Sequence, residues 1–268
     1  RVDRYNRLSV EIEAAKEEAA ALFKKDLLRQ IDRVCGRKMD APCISTAPDR
    51  CRIQFSEKPA FQAELAIAQH VCNNGSLCGD HCTYFNDGLG RMVMIVSDGM
   101  GSGGPARRES LRTVELFAAL TGVGFRPEEA AECLNRLLLR EGEDMYATLD
   151  ALVFDTVSGS VSLAKHGAPP SYILREGRLS TLYAEALPVG ILPQARPAVC
   201  TARLRKGDIV VMMSDGVADA LGKELVAAVT DRTRNAGSPK AAAEELLAFA
   251  DEKGGRTDDM TVIVAKVE

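Results

Sequence analysis

Residues 94–111 read MIVSDGMGSGGPARRESL. An apolar run ends in Ser97-Asp98-Gly99, and Gly99-x-Gly101-x-x-Gly104 leads into a helical pattern. That is the glycine spacing of a dinucleotide-binding turn, which would make the chain an alternating α/β protein. Two features oppose this. Asp98 stands where a pyrophosphate would approach, although such sites present backbone N–H groups and a positive helix end. The helix after the glycines also leads to a second helix, not to a parallel strand. The loop therefore reads as one that carries a metal ligand.

The surrounding sequence sorts into layers. RLSVEIEA (7–14) alternates like a strand, and residues 16–34 then keep helical spacing, with Ala19, Leu22, Phe23, Leu27, Ile31 and Val34 on one face. Gly36 and Pro42 end that helix. CRIQF and FQAELAIAQ read as strands, Gly75 and Gly79 as a loop, and CTYFND-GLG-RMVMIVSD as a hairpin. Helices are expected at 104–121 and at 127–140, the latter with Pro127 in its first turn and Gly142 beyond its end. Short strands follow at LDALVFD, SVSLAKH, SYILRE, RLSTLY and DIVVMMSD, then helices at 221–233 and 239–252, and MTVIVAKV as a closing strand. Strands in runs and helices in pairs indicate an α+β fold.

Bulk properties narrow the function. The 268 residues are 46% apolar and 27% charged, with net charge −4. That balance gives no electrostatic case for nucleic acid, and no apolar run is long enough to span a bilayer. The chain begins Arg1-Val2-Asp3, which suggests a piece of a longer protein, with any membrane segment outside it. Eight cysteines form no C-x-x-C pair. Cys78 and Cys82, with His70 and His81, make one loose group where a zinc site needs two tight pairs. Free thiols in a reducing compartment are the simpler reading.

The acidic residues carry the chemistry. VMIVSDG (93–99) and VVMMSDG (210–216) are near copies, each delivering one carboxylate to a strand end, Asp98 and Asp215. Asp258 and Asp259 precede the closing strand. If that strand runs antiparallel to the other two, all these positions meet at one edge of one sheet. Asp80 opens the strand that hairpins into 91–98, which places it beside Asp98. Each Asp alone reads as a turn former. Together they would repel one another and hold protons unless divalent cations neutralised them. An all-oxygen set suits Mg2+ or Mn2+, and Gly99, lacking a Cβ, lets its carbonyl approach an ion.

In order along the chain, CGD, SDGMGSG, YATLDALVFD, KHGAPPSYI, LPVGI, MMSDGVAD and DDMTVIV resemble the bacterial metal-dependent Ser/Thr protein phosphatases of the type 2C (PPM) class, and most closely their sporulation branch. The resemblance covers about residues 59–268 and implies an α-β-β-α sandwich of two antiparallel sheets flanked by helix pairs, with two Mn2+ or Mg2+ ions at one edge. Carried over, Asp98 resembles the carboxylate bridging both ions, with the Gly99 carbonyl beside it. Asp80, Asp215 and Asp258 resemble further ligands, and Asp259 an additional one. The substrate-binding residues stay unassigned, since no arginine in 59–80 matches the family's phosphate-holding one. Residues 1–58 resemble the end of an upstream regulatory segment that follows a membrane-embedded region. The helices at 104–121 and 127–140 resemble elements thought to complete the metal site.

The expected function is hydrolysis of phosphoserine in a protein, with Asp98 and Asp215 acting through a water whose pKa two ions lower. By resemblance, the substrate is a phosphorylated anti-anti-sigma factor whose dephosphorylation frees a sporulation sigma factor. The segment is expected in the cytoplasm, without membrane contact of its own, and with a second copy of the chain as a further candidate partner. The alternatives are a catalytically silent phosphatase fold that senses metal or a partner, and a nucleotide-binding oxidoreductase built on the glycine loop.

Overall fold

A computed structural model of the chain describes residues 2, 6–23, 26–72, 77–88, 90–141, 146–255 and 257–268. Gly75, Leu89 and Gly142, and the side chains of Leu22 and Phe23, lie outside the described set. The chain divides into two compact units, Arg1–Ala60 and Phe61–Glu268.

In the first unit, β1 (Ser9–Ala15), β3 (Arg50–Ser56) and β2 (Cys43–Thr46) form an antiparallel sheet in the order β1-β3-β2. Ile53 and Phe55 alternate inward from β3 and are fully buried, packing with Ala19 and Ile31. The single helix expected over 16–34 is instead two, α1 (Lys16–Phe23) and α2 (Leu27–Cys35). Asp26 takes a left-handed conformation between them, which no continuous helix allows. The break turns the second stretch, so Val34 is 86% exposed and not on the buried face.

The second unit is a four-layer sandwich. Its helices are α3 (Gly103–Gly122), α4 (Pro127–Glu141), α5 (Asp215–Leu221), α6 (Leu225–Asn235) and α7 (Pro239–Gly254). Its strands are β4 (Ala63–His70), β5 (Asp80–Asn86), β6 (Arg91–Asp98), β7 (Leu149–Asp155), β8 (Ser160–His166), β9 (Ser171–Arg175), β10 (Arg178–Leu182), β11 (Ala198–Arg203), β12 (Ile209–Met213) and β13 (Met260–Val267). One sheet runs β10-β9-β12-β13-β4 and the other β11-β8-β7-β6-β5, every neighbouring pair antiparallel.

Period-two alternation assigns each strand's two faces to different layers. Met94, Leu152, Leu163, Ile173, Met212 and Ile263 fill the space between the sheets. Val93, Ala151 and Ala164, one residue off, face α3 and α4 with Val114, Phe117 and Leu134. On the other side Val211, Val262 and Val264 face the C-terminal helices with Val229, Leu246 and Leu247. Both outer helix layers thus cover sheet faces, and the α+β sandwich expected from the sequence is present.

Two expectations about topology change. The two Ser-Asp-Gly phrases do not share a sheet: β6 belongs to one and β12 to the other. The helix expected at 221–233 begins earlier. Asp215 is the first residue of α5, which passes through a 3₁₀ turn at Gly222–Glu224 into α6. The helix-forming run Val217-Ala218-Asp219-Ala220-Leu221 starts the helix as soon as the strand ends. The edge strands β2 and β11 were not expected. Every residue of β2 is exposed, so it lacks the apolar alternation that marks a strand.

Candidate metal centre

The space between the sheets ends in a polar layer at one end. Continuing the inward alternation of β6 past Met94 and Val96 leads to Asp98, and that of β12 past Met212 leads to Ser214 beside Asp215. The β5–β6 hairpin pairs Asp80 directly opposite Asp98. From the other sheet, Thr261 of β13 takes the inward parity of Ile263. Carboxylates from both sheets therefore meet across the sandwich, not along one sheet edge.

Burial grades these groups from deep to shallow. Asp80 is 1% exposed, Asp98 and Asp215 are half-buried, and Asp258 is at the surface. Asp80 Oδ2 accepts from Thr261 Oγ1 at 2.6 Å, and Gln69 Nε2 donates to Thr261 Oγ1 at 2.9 Å. Asp98 is fixed through its backbone: its N–H donates to Thr148 Oγ1 (2.9 Å), and its carbonyl accepts from Thr148 N (2.8 Å). Ser97 Oγ donates to the Thr148 carbonyl at 2.6 Å. Thr148, Thr261 and Ser214 are supporting residues that sequence reasoning missed. Their only sequence signal is a hydroxyl within two residues of a strand end facing an Asp.

Two glycines permit the convergence. A Cβ on Gly99 would come within 1.9 Å of the Ala106 carbonyl oxygen of α3, and one on Gly216 within 2.1 Å of the Asp259 carbonyl oxygen. Each Ser-Asp-Gly phrase thus needs its glycine for a backbone-to-backbone approach that any side chain would block.

The electrostatics show what is missing from a purely protein environment. Burial pushes the Asp98 carboxyl well above the usual carboxylate range, reinforced by the charges of Asp80 and Asp215. Burial also raises Asp80, with the Thr261 hydroxyl opposing. Though at the surface, the Asp258 carboxyl is raised by partial burial and by the nearby charges of Asp215, Asp259 and Asp219, against the hydrogen bond that its Oδ1 accepts from Asp259 N at 2.8 Å. Asp80 Oδ1 and Asp215 Oδ1 are buried without a hydrogen-bond partner among the described residues. Among those residues no three His, Cys, Asp or Glu side chains stand together in a ready ion-holding group. Instead, Asp80 stands opposite Asp98 in the β5–β6 register, and the charges of both Asp80 and Asp215 bear on the Asp98 carboxyl. Orphaned buried oxygens, and carboxyls whose ionisation is opposed by burial and by neighbouring charge, are the arrangement that a divalent cation relieves. The donor set fits Mn2+ or Mg2+.

Asp259 is differently employed. It is 2% exposed, and its two oxygens accept from Cys72 N (2.9 Å) and Gly79 N (2.6 Å), so it pins the chain entering Asp80. The cysteine–histidine group does not form a soft-metal site. Cys78 and Cys82 thiols are pushed up by burial and by Asp80, Cys82 to about 12. His70 Nδ1 faces Asp251 at 3.0 Å. All eight cysteines are free.

This fold is that of the type 2C Ser/Thr protein phosphatases. The phosphatase domain of SpoIIE from Bacillus subtilis, solved with a fragment of its regulatory domain, superimposes with a TM-score of 0.77 at 22% identity, covering 99% of this chain and 80% of that one. The catalytic domain of the Ser/Thr phosphatase PstP, in complex with two manganese ions, gives a TM-score of 0.64 at 19% identity, covering 78% of this chain and 99% of that one. The chain belongs to the stage II sporulation protein E family, whose model matches residues 88–268. The stage II sporulation protein E of Priestia megaterium is 27% identical over 234 residues, 84% of this chain but only 40% of that protein's length.

Proposed function

We propose that this chain hydrolyses phosphoserine in a protein substrate, using two Mn2+ or Mg2+ ions held by Asp80, Asp98, Asp215 and Asp258, with the Gly99 carbonyl as a further ligand. The observation that carries the reading is the meeting of carboxylates from two sheets, with Asp80 Oδ1 and Asp215 Oδ1 buried and unpartnered among the described residues. When bound, the ions supply a water of lowered pKa and neutralise charge growing on the phosphoryl oxygens. The protein's part is to place the donors. Thr148 locks the Asp98 backbone from both sides, and the Thr261 hydroxyl orients Asp80 so that one oxygen stays available. Asp259 acts as a support through its two backbone hydrogen bonds. The reaction requires no Ser or Cys nucleophile, which agrees with raised thiols at Cys78 and Cys82.

The proposed substrate is a phosphorylated anti-anti-sigma factor, whose dephosphorylation activates a sporulation sigma factor. Residues 59–268 form the phosphatase, acting in the cytoplasm, and residues 1–58 end a regulatory segment of a membrane-anchored parent. Among the described residues no helix is long and apolar enough to cross a membrane. The test is phosphate release from a phosphoserine protein with Mn2+, with and without EDTA. Release that EDTA abolishes and added Mn2+ restores is expected. Mn2+ binding with no release from any phosphoserine protein would contradict the reading and leave a silent sensor.

A further inference from the structure

A lysine stands in the apolar layer between the sheets. Along β8, Val161, Leu163 and Lys165 share the inward parity, and along β7 Asp150 shares it with Leu152 and Phe154. Lys165 and Asp150 are directly opposite in the β7–β8 register, and both are 0% exposed. Lys165 Nζ lies 2.6 Å from Asp150 Oδ1 and donates to Ser171 Oγ at 2.9 Å. Ser171 Oγ donates in turn to Asp150 Oδ2 at 2.5 Å. Ser171, also 0% exposed, begins β9 and so belongs to the other sheet. Three fully buried side chains thus close a ring of polar contacts across the sandwich.

The place of the ring matters. Asp150 pairs with Val96, two residues before Asp98 on β6, and Thr148, which clamps Asp98, is two residues before Asp150. In the other sheet β9 pairs with β12 through Val211–Tyr172, so Ser171 stands at the end of β9 that points toward Ser214 and Asp215. The ring therefore lies beneath the carboxylates and joins the strand group carrying Asp80 and Asp98 to the one carrying Asp215. Stability alone does not require it, since a buried ion pair replaced by well-packed apolar groups is often neutral or stabilising. What apolar contacts lack is direction. Facing sheets held only by Val, Leu and Met can settle at several offsets, whereas the two hydrogen bonds linking Ser171 to Lys165 and Asp150, themselves held as an ion pair in one sheet, fix one.

We infer that Lys165, Asp150 and Ser171 are positioning residues that set the spacing between the two halves of the carboxylate set, and so its affinity for divalent cation. This rests on the metal-dependent reading above. Ligand geometry tolerates displacements of about 0.5 Å, so a small slip between sheets is felt at the ions before it is felt by the fold.

The test uses two variants of the full chain. Lys165→Met combined with Asp150→Leu replaces the ion pair by apolar groups of similar size. Ser171→Ala removes only the link to the other sheet and keeps the pair. For each, thermal unfolding without metal and the Mn2+ dissociation constant by calorimetry are measured. The expected result is a melting temperature close to wild type, with Mn2+ binding weakened about tenfold in the double variant, the low end of what lost supporting contacts cost, and by a smaller factor, about threefold, in Ser171→Ala, which keeps the ion pair. Mn2+ affinity within twofold of wild type in either folded variant overturns the inference and leaves a purely structural ion pair. If the double variant does not fold, Ser171→Ala alone decides. A wild-type chain that binds no Mn2+ overturns this inference together with the proposed function, whereas equal binding by wild type and variants overturns this inference alone.

Discussion

The two Ser-Asp-Gly phrases have nearly the same sequence and different structures. After Ser97, Asp98 remains in β6, paired with Asp80, and the chain then runs through a glycine-rich loop to α3. After Ser214, Asp215 is already the first residue of α5. The serines work in opposite senses: Ser97 Oγ donates to the Thr148 carbonyl, while Ser214 Oγ accepts from Thr261 N. The residues that follow decide the outcome, Met100-Gly101-Ser102-Gly103 in one case and Val217-Ala218-Asp219-Ala220 in the other. What the phrases keep in common is a carboxylate delivered at the end of an apolar strand and a glycine that lets another backbone press close. One triplet therefore serves two sheets, and the proposed site requires both copies.

The comparison breaks most sharply at the carboxylates. Asp98 stands opposite Asp80 and carries the charges of both Asp80 and Asp215, whereas Asp258 is the more open group. Asp98→Asn should therefore cost more than Asp215→Asn: at least about 100-fold in kcat, or about 2.7 kcal/mol of barrier, against about tenfold or more. Steady-state phosphate release at saturating Mn2+ measures both. Two variants that each keep wild-type rates would remove the carboxylates from the chemistry.

The glycines should be more nearly equal. Gly99→Ala and Gly216→Ala each force a methyl into a backbone carbonyl, and each should destabilise the fold by about 1–3 kcal/mol, read by denaturant unfolding without metal. A large loss for one and none for the other would show that only one phrase relies on the close approach.

The supporting hydroxyls sharpen the contrast further. Thr261→Val removes the donor to a buried carboxylate and should cost about 1.5–3 kcal/mol, while Thr148→Val removes the acceptor for a neutral N–H and should cost about 1 kcal/mol. Unfolding curves of the two variants would reverse that order if the Asp98 clamp matters more than the Asp80 contact.

The smallest effect is the pH dependence of the metal-free protein. Asp80 and Asp98 have raised carboxyl pKa values in the folded chain. Their contribution to stability is fully present below the unfolded value of about 4 and is lost as pH rises through the raised folded values. The melting temperature without metal should thus decline modestly above about pH 4 by this contribution. Saturating Mn2+, which prefers the ionised carboxylates, should reduce or reverse the decline. Parallel scans with Mn2+ and with EDTA separate the two; identical pH profiles would mean that the cation does not engage these groups.

The hairpin that sets Asp80 opposite Asp98 is legible in the sequence because a short glycine turn fixes register locally. The closing strand is legible because MTVIVAKV is a β-branched apolar run that follows the polar Asp258-Asp259. Sheet membership is not, because an apolar strand such as VVMMSD carries no mark of which neighbours it will pair with. The start of α5 at Asp215 is hidden for a related reason, since Asp-Gly reads locally as a turn. Asp150 and Lys165 are half-legible. A charged residue at the inward parity of LDALVFD and another in SVSLAKH is a visible anomaly, but only the register shows that they cancel each other.

The most direct measurement is anomalous diffraction from a crystal of this chain soaked in Mn2+. Two manganese peaks are expected among the Asp80, Asp98, Asp215 and Asp258 carboxylates, with ligands drawn from both sheets. Manganese at the Cys78–His81 group, or ligated by carboxylates of one sheet alone, would contradict a centre made by the meeting of the two Ser-Asp-Gly phrases.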